Sequence, residues 1–424
     1  MTPAATADPL ARRPFGQTGL TVPPIAIGCA PLGDMPETFG YGVPEERAVA
    51  TLRAALASPI PFIDTAALYG DGESERRVGL ALKELGGLPA NAVLQTKAGR
   101  DPVSNDFSGE MVKRRFERSL QLLGVERIAI VYLHDPEHTR FDEAMAPGGP
   151  VEMLRHYQEQ GVIGHLGVAG GPIPLEIRYV DTGLFAAVIT HNRYTLINRS
   201  AAPLLAHAAA QGLAVLNAAP YGSGVLAKGP ERYPRYAYQE ANPKMIDRIH
   251  QLTRICDAHE VPLAAAALQF STRDSRIAAT IVGMTRPERI EETLAPSNTR
   301  FPTHSGRRSM QSGSTRTTPK QSASSGSRHK ATAPRRRSTG ASATGPMIAQ
   351  SGDRGEAAPP RSAPRSPTIG GLDGNVGLRP ADLPAIMQFM NESVRTTTST
   401  KTVTGISIKG ITITGLPAGL GVRD

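Results

Sequence analysis

Along residues 22–295 the chain alternates between two apolar patterns. Short unbroken apolar runs fall at 24–27, 61–65, 92–96, 128–133, 165–168, 187–190, 214–217 and 279–282. They lack the in–out alternation of a sheet with one wet face, so they read as parallel strands buried on both sides. Between them lie stretches with apolar residues three and four apart. The first, 44–57, opens on Pro44 and sets Ala48, Leu52 and Leu56 on one face, as a helix does. Segments 74–85, 109–123, 150–160, 200–211 and 242–259 read the same way, and Gly161 and Gly212 supply helix stops.

A strand and a helix repeated eight times over about 275 residues is the size of a closed (β/α)8 TIM barrel, here residues 14–295. Ahead of its first strand, 15–21 reads as a small hairpin turning at Gln17-Thr18-Gly19 and closing the barrel bottom. An open doubly wound sheet is the alternative, but no G-x-G-x-x-G joins the first strand to the first helix. The pattern stops after Ala295. Residues 296–379 are dominated by Ser, Thr, Arg, Pro and Gly, with no acid until Asp353. Such a stretch buries too little apolar surface to offset its ordering entropy and reads as disordered. In 380–424, a short helix at 380–394 would align Leu383, Ile386, Met387 and Met390, and 402–414 alternates weakly as a hairpin. No domain is assigned there.

Charge sharpens this division. The net charge of +9 suggests an acidic partner until it is split by region. Residues 296–424 carry 18 Lys and Arg against 6 Asp and Glu, which leaves 29 against 32 for residues 1–295. The basicity belongs to the C-terminal segment and says nothing of nucleic acid binding by the rest. Two cysteines, Cys29 and Cys256, make neither a disulfide framework nor a metal-ligand spacing, which suits a reducing cytoplasm and no metal site. Residues 1–15 lack the apolar stretch of a secretion signal, and no run reaches membrane-spanning length. A cytoplasmic protein is expected.

Strand ends carry the candidate chemistry. In Phe62-Ile63-Asp64-Thr65-Ala66, Ala67-Leu68-Tyr69-Gly70, Leu94-Gln95-Thr96-Lys97 and Val131-Tyr132-Leu133-His134-Asp135, a polar group follows an apolar run. The order and spacing of Asp64, Tyr69, Lys97 and His134 resemble the catalytic tetrad of the aldo-keto reductases, and the resemblance covers residues 14–295. It implies an NAD(P)-dependent oxidoreductase that interconverts a carbonyl or hemiacetal with an alcohol or lactone. Tyr69 would be the acid/base, Lys97 its tuner, Asp64 the lysine's partner and His134 an orienting donor to the substrate oxygen. A free tyrosine has a pKa of about 10, and a neighbouring ammonium is expected to lower it.

The resemblance also implies a cofactor site. His191 and Asn192, within Thr190-His191-Asn192-Arg193-Tyr194-Thr195-Leu196, stand where relatives contact the nicotinamide amide. The family's Gly-Val-Ser-Asn-like stretch is here Gly167-Val168-Ala169-Gly170, without the serine and asparagine. Tyr221, Gly222 and Ser223 fall in the loop that covers the pyrophosphate. Relatives have an aromatic residue before the proline, where this chain has Ala218 and Ala219, which leaves Tyr221 as a substitute. Gly283, Thr285, Arg286, Arg289 and Glu292 match the family's phosphate motif, whose helix-start N–H groups receive phosphate. Arg286 and Arg289 suit a 2′-phosphate and tilt the expectation to NADP over NAD. Thr293 replaces the usual asparagine at the adenine.

His134-Asp135-Pro136-Glu137-His138 and the 190–196 segment resemble the branch of aldose and fucose 1-dehydrogenases and pyridoxal 4-dehydrogenase. A small-molecule aldehyde or aldose substrate is expected, with no specific nucleic acid partner. Two other function classes stand beside this one. One is a cofactor-binding regulatory subunit or inactive relative, because nothing after residue 295 resembles the family's pocket-closing end. The other is a tail-driven polyanion binder, whose affinity would fall with salt. The composition of 296–424 is also what a shifted reading frame in GC-rich DNA yields. Sequencing the gene around codon 295 tests that.

Overall fold

The computed structural model describes residues 8–297 and 299. The disorder expected within 296–379, and the helix and hairpin expected within 380–424, otherwise lie outside the described residues. The short strands β1 (Arg13–Pro14) and β2 (Thr21–Val22) pair antiparallel. There follow β3 (Ile25–Gly28), β4 (Phe62–Asp64), β5 (Val93–Gly99), β6 (Ile128–His134), β7 (Ile163–Gly170), β8 (Ala187–His191) and β9 (Ala214–Ala218). A second small hairpin, β10 (Arg235–Tyr236) and β11 (Gln239–Glu240), precedes β12 (Ile277–Gly283). Strands β3 to β9 and β12 close a parallel barrel in which β12 pairs with β9 on one side and β3 on the other.

Helices cover the outside, as parallel strands buried on both faces require. They are α1 (Pro36–Phe39), α2 (Glu45–Leu56), α3 (Glu73–Glu84), α4 (Gly109–Leu123), α5 (Phe141–Ala144), α6 (Pro150–Glu159), α7 (Ile173–Val180), α8 (Ala202–Ala210), α9 (Val225–Lys228), α10 (Pro243–Ala258), α11 (Leu263–Thr272) and α12 (Glu288–Ser297). Local chemistry sets several ends. Ser108 caps α4 by accepting from the Met111 N–H at 3.3 Å, and Gly124 ends that helix in the left-handed region. Asn242 caps α10 through the Met245 N–H at 2.9 Å. Helix α12 runs two residues past the Ala295 boundary read from composition. The Gln269 carboxamide holds that turn, donating to the carbonyls of Pro296 and Thr299 at 2.7 Å each.

Side chains alternate across each strand, so one set fills the barrel and the other meets the helices. The inner set includes Ala26, Phe62, Val93, Tyr132, Ile189 and Leu216, all buried. Phe15, in the loop of the first hairpin, plugs the bottom of this interior with its ring edge-on to Phe62, centroids 6.4 Å apart. The hairpin closes the barrel bottom as its sequence predicts. The Arg13 guanidinium fixes it there by donating to the carbonyls of Thr272 at 2.6 Å and Ile277 at 3.1 Å. Among the described residues, no helix is long and apolar enough to cross a membrane, and no group of three His, Cys, Asp or Glu side chains is placed to hold a metal.

Candidate active site

Alternation carries the inner set of each strand up to the C-terminal mouth. Asp64 lies two residues after Phe62, Lys97 four after Val93, and His134 two after Tyr132, so all three face inward where the strands end. Tyr69 follows β4 in a tight turn in which its N–H donates to the Ala66 carbonyl at 3.1 Å. A Cβ on Gly33 would come within 2.8 Å of the Tyr69 backbone, so the loop after β3 presses directly on this turn.

The Lys97 ammonium donates to Asp64 Oδ1 at 2.7 Å and to the Thr65 carbonyl at 2.9 Å, and lies 4.8 Å from the Tyr69 ring centroid. The His134 ring stands edge-on to Tyr69 with centroids 5.7 Å apart. The structure thus brings all four expected groups together. It adds two that the sequence does not single out. Gln95 donates to Asp64 Oδ1 at 2.7 Å and accepts from the Tyr132 hydroxyl at 2.9 Å. The signal for the pair is Gln95 itself, a polar residue on the same strand face as Lys97.

Electrostatics correct one expectation. A lysine beside Tyr69 should lower the phenol's pKa. Instead burial, and after it the charge of Asp64, holds the phenol well above its ordinary value. The ammonium is engaged by a carboxylate and a carbonyl. Burial likewise drives His134 down to about 4, against the pull of Asp135, whose carboxylate is 3.7 Å from the ring nitrogen. At neutral pH the site therefore holds a neutral phenol and a neutral imidazole.

Beyond the tetrad, His191 faces inward at the end of β8, its pKa lowered by burial. Asn192 is 3% exposed with a left-handed φ of 56°, and its Nδ2 is buried without a partner. Its Oδ1 accepts from the Ser223 hydroxyl at 3.2 Å. Gly222 has a φ of 57°, and a Cβ there would lie 2.5 Å from the Tyr236 ring. Tyr221 is buried in the outer core beneath the Arg289 guanidinium, 5.8 Å from its ring centroid. That contact groups it with the phosphate-motif residues. Gly283 is exposed at the end of β12, and Thr285 is half-buried just beyond it. Arg286 is not free: it grips Glu292 bidentately at 2.7 and 2.8 Å, and Arg289 reaches the same carboxylate at 3.2 Å.

The residues present fit a dinucleotide. An orphaned amide donor at Asn192, small inward residues at Gly28, Ala169 and Ala218, and two arginines beside the start of α12 leave space and polar partners for a planar ring at one end and phosphates at the other. Comparison with known proteins agrees. The profile of the Aldo/keto reductase family matches residues 24–308. The chain is 29% identical to an L-galactose dehydrogenase of Arabidopsis thaliana over 67% of this chain and 86% of that one. It is 30% identical to a D-threo-aldose 1-dehydrogenase of a Pseudomonas species, over 65% and 89%. To a pyridoxal 4-dehydrogenase of Microbacterium luteolum it is 29% identical, over 67% and 92%. The chain belongs to the aldo/keto reductase family, and it falls in the branch that its 134–138 and 190–196 segments resemble. It is an oxidoreductase of the class that acts on small carbonyl compounds with NAD(P)H.

Proposed function

We propose that the protein oxidises the hemiacetal of an aldose at C1 to a lactone, with Tyr69 as base, and runs the reverse as a carbonyl reduction with Tyr69 as acid. The observation that carries this is the meeting of Tyr69, Lys97, Asp64 and His134 at the ends of three adjacent strands, with one ammonium between a carboxylate and a phenol. Two of the similar proteins are named for aldoses and one for an aromatic aldehyde, which supports the substrate class.

In oxidation the hydroxyl proton at C1 passes to the Tyr69 oxygen as the C1–H pair departs. A nicotinamide held at this mouth would supply the hydride acceptor. In reduction Tyr69 returns a proton to the oxygen as negative charge develops on it. Lys97, fixed by Asp64, keeps a positive charge beside the phenol when it ionises. Neutral His134 offers one ring N–H to the substrate oxygen. Asn192 and His191 would hold the carboxamide end of the cofactor, and Ser223, Gly222, Gly283 and Thr285 would line its phosphates. Glu292 biases the choice towards NAD: while it holds Arg286 and Arg289, a 2′-phosphate must displace it.

The test is absorbance of the reduced nicotinamide for wild type beside Tyr69→Phe, with both cofactors and a panel of aldoses, pyridoxal and simple aldehydes. Tyr69→Phe should lower kcat by about 10²–10⁴-fold and leave cofactor affinity unchanged. Cofactor binding without turnover on the whole panel would turn the assignment to a regulatory subunit.

A further inference from the structure

We propose that Tyr238 is a substrate-positioning residue, and that with Phe39 it forms an aromatic wall at the barrel mouth selecting ring-closed aldoses over open-chain aldehydes. This rests on the aldose reading above and deepens it. Four observations carry it.

The first is backbone strain. Arg235 pairs with Glu240 and Tyr236 with Gln239, so Ala237 and Tyr238 are the two central residues of a tight hairpin. Both are left-handed, at 49° and 67°. Such a turn normally takes Asn-Gly, and an aromatic residue there is costly. Strain of this kind persists where the surroundings impose it and gathers at ligand sites. Here Asp135 and Asn192, on other mouth loops, and Ala219 and Ser223, earlier on the same one, are left-handed too.

The second is anchoring. Tyr236, in the strand just before the turn, is 6% exposed and donates its hydroxyl to the Asn192 carbonyl. Its ring occupies the space left by the missing side chain of Gly222. The Arg235 guanidinium closes the turn onto the Tyr238 carbonyl at 2.5 Å. The hairpin is thus held in place through Tyr236 and Arg235, with Tyr238 at its tip.

The third is direction. The Tyr238 ring stands edge-on to Phe39 at 5.7 Å and 87°, which joins the loop after β9 to the loop after β3 across the mouth. Its hydroxyl faces Asn192 and Ser223, and its charge state is felt by Tyr69.

The fourth is the chemistry of the pair. Aromatic faces carry partial negative charge and receive the C–H face of a pyranose, and a phenol at the rim bonds to ring hydroxyls. An acyclic aldehyde offers no such face.

The test compares wild type, Tyr238→Phe and Tyr238→Ala on a pyranose aldose and on butanal, with cofactor affinity from calorimetry. Tyr238→Ala should raise KM for the aldose by about tenfold or more, with kcat, the KM for butanal and cofactor affinity within about twofold. Tyr238→Phe, which keeps the ring, should recover most of the loss. Ala237→Gly relaxes the turn without touching the ring and should retain wild-type selectivity. Equal losses on both substrates, weakened cofactor binding, or unchanged aldose KM would each overturn the wall. A wild type that reduces butanal and oxidises no aldose would remove the substrate reading itself, a distinct failure from an aldose dehydrogenase indifferent to residue 238.

Discussion

The mouth of this barrel has two unlike halves. Strands β4 to β6 bring up Asp64, Lys97 and His134 with Gln95 and Tyr132 beneath them, each partnered or packed and nearly all buried. Strands β7, β9, β12 and β3 bring up Ala169, Ala218, Gly283 and Gly28 at neighbouring registers, Gly28 opposite both Asp64 and Gly283, and Ala169 opposite His134. One half is reactive and rigid, and the other withdraws its side chains. The same eightfold geometry thus yields a proton-handling wall and a vacancy facing it, which is what a reaction between a substrate and a flat cofactor requires.

The largest effect should come from breaking the reactive half. Asp64 and Lys97 are a buried pair, and removing one partner strands the other charge, at a cost of about 3–5 kcal/mol. Lys97→Met should lower stability to that extent in denaturant titration, and adding Asp64→Asn should restore much of it. Altering the small-residue half should do the opposite: Ala218→Phe, at a half-buried position where relatives carry an aromatic residue, should leave folding stability nearly intact and tighten cofactor binding, read by calorimetry. A loss of stability equal to that of Lys97→Met would dissolve the contrast.

Proton handling gives a third test. With the Tyr69 pKa raised by burial, the phenol stays protonated through the neutral range. Reduction, which needs the proton, should be flat between about pH 6 and 9. Oxidation needs the phenolate and should rise about tenfold per pH unit over the same range. His134, with its pKa near 4, should add no inflection. A bell with an apparent pKa near 7 in either direction would contradict the raised phenol. The smallest effect belongs to the phosphate end, where the Arg286–Glu292–Arg289 cluster is largely exposed. Exposed pairs contribute about 0.2–1 kcal/mol, so Glu292→Gln should shift the NADP-to-NAD ratio of kcat/KM by only about two- to fivefold towards NADP.

The strands are legible as apolar runs, yet several run on past those runs. They end on small or polar inward residues, such as Gly99, His134, His191 and Gly283, which read as loop in a chain scanned for hydrophobicity. Helix α11 is not legible, because Ala265–Thr272 is buried all round and carries no period to detect. The hairpin at 235–240 has two-residue strands and an Ala-Tyr turn, against every local preference, so only tertiary contacts specify it. The tetrad is readable because its residues follow strands directly. Tyr238 is not, because its place depends on a strained turn and on the anchoring of Tyr236.

The pairing of β12 with β3 has a consequence for biosynthesis. The first staves of the barrel leave the ribosome about 250 residues before the last, and at about 5–20 residues per second that is about 13–50 s. Until Thr280 can dock beside Ile25, the free edge of β3 has no covalent neighbour to cover it. Over that interval the β3 edge keeps its N–H and C=O groups unpaired on one side, a template for pairing between chains that barrel closure removes.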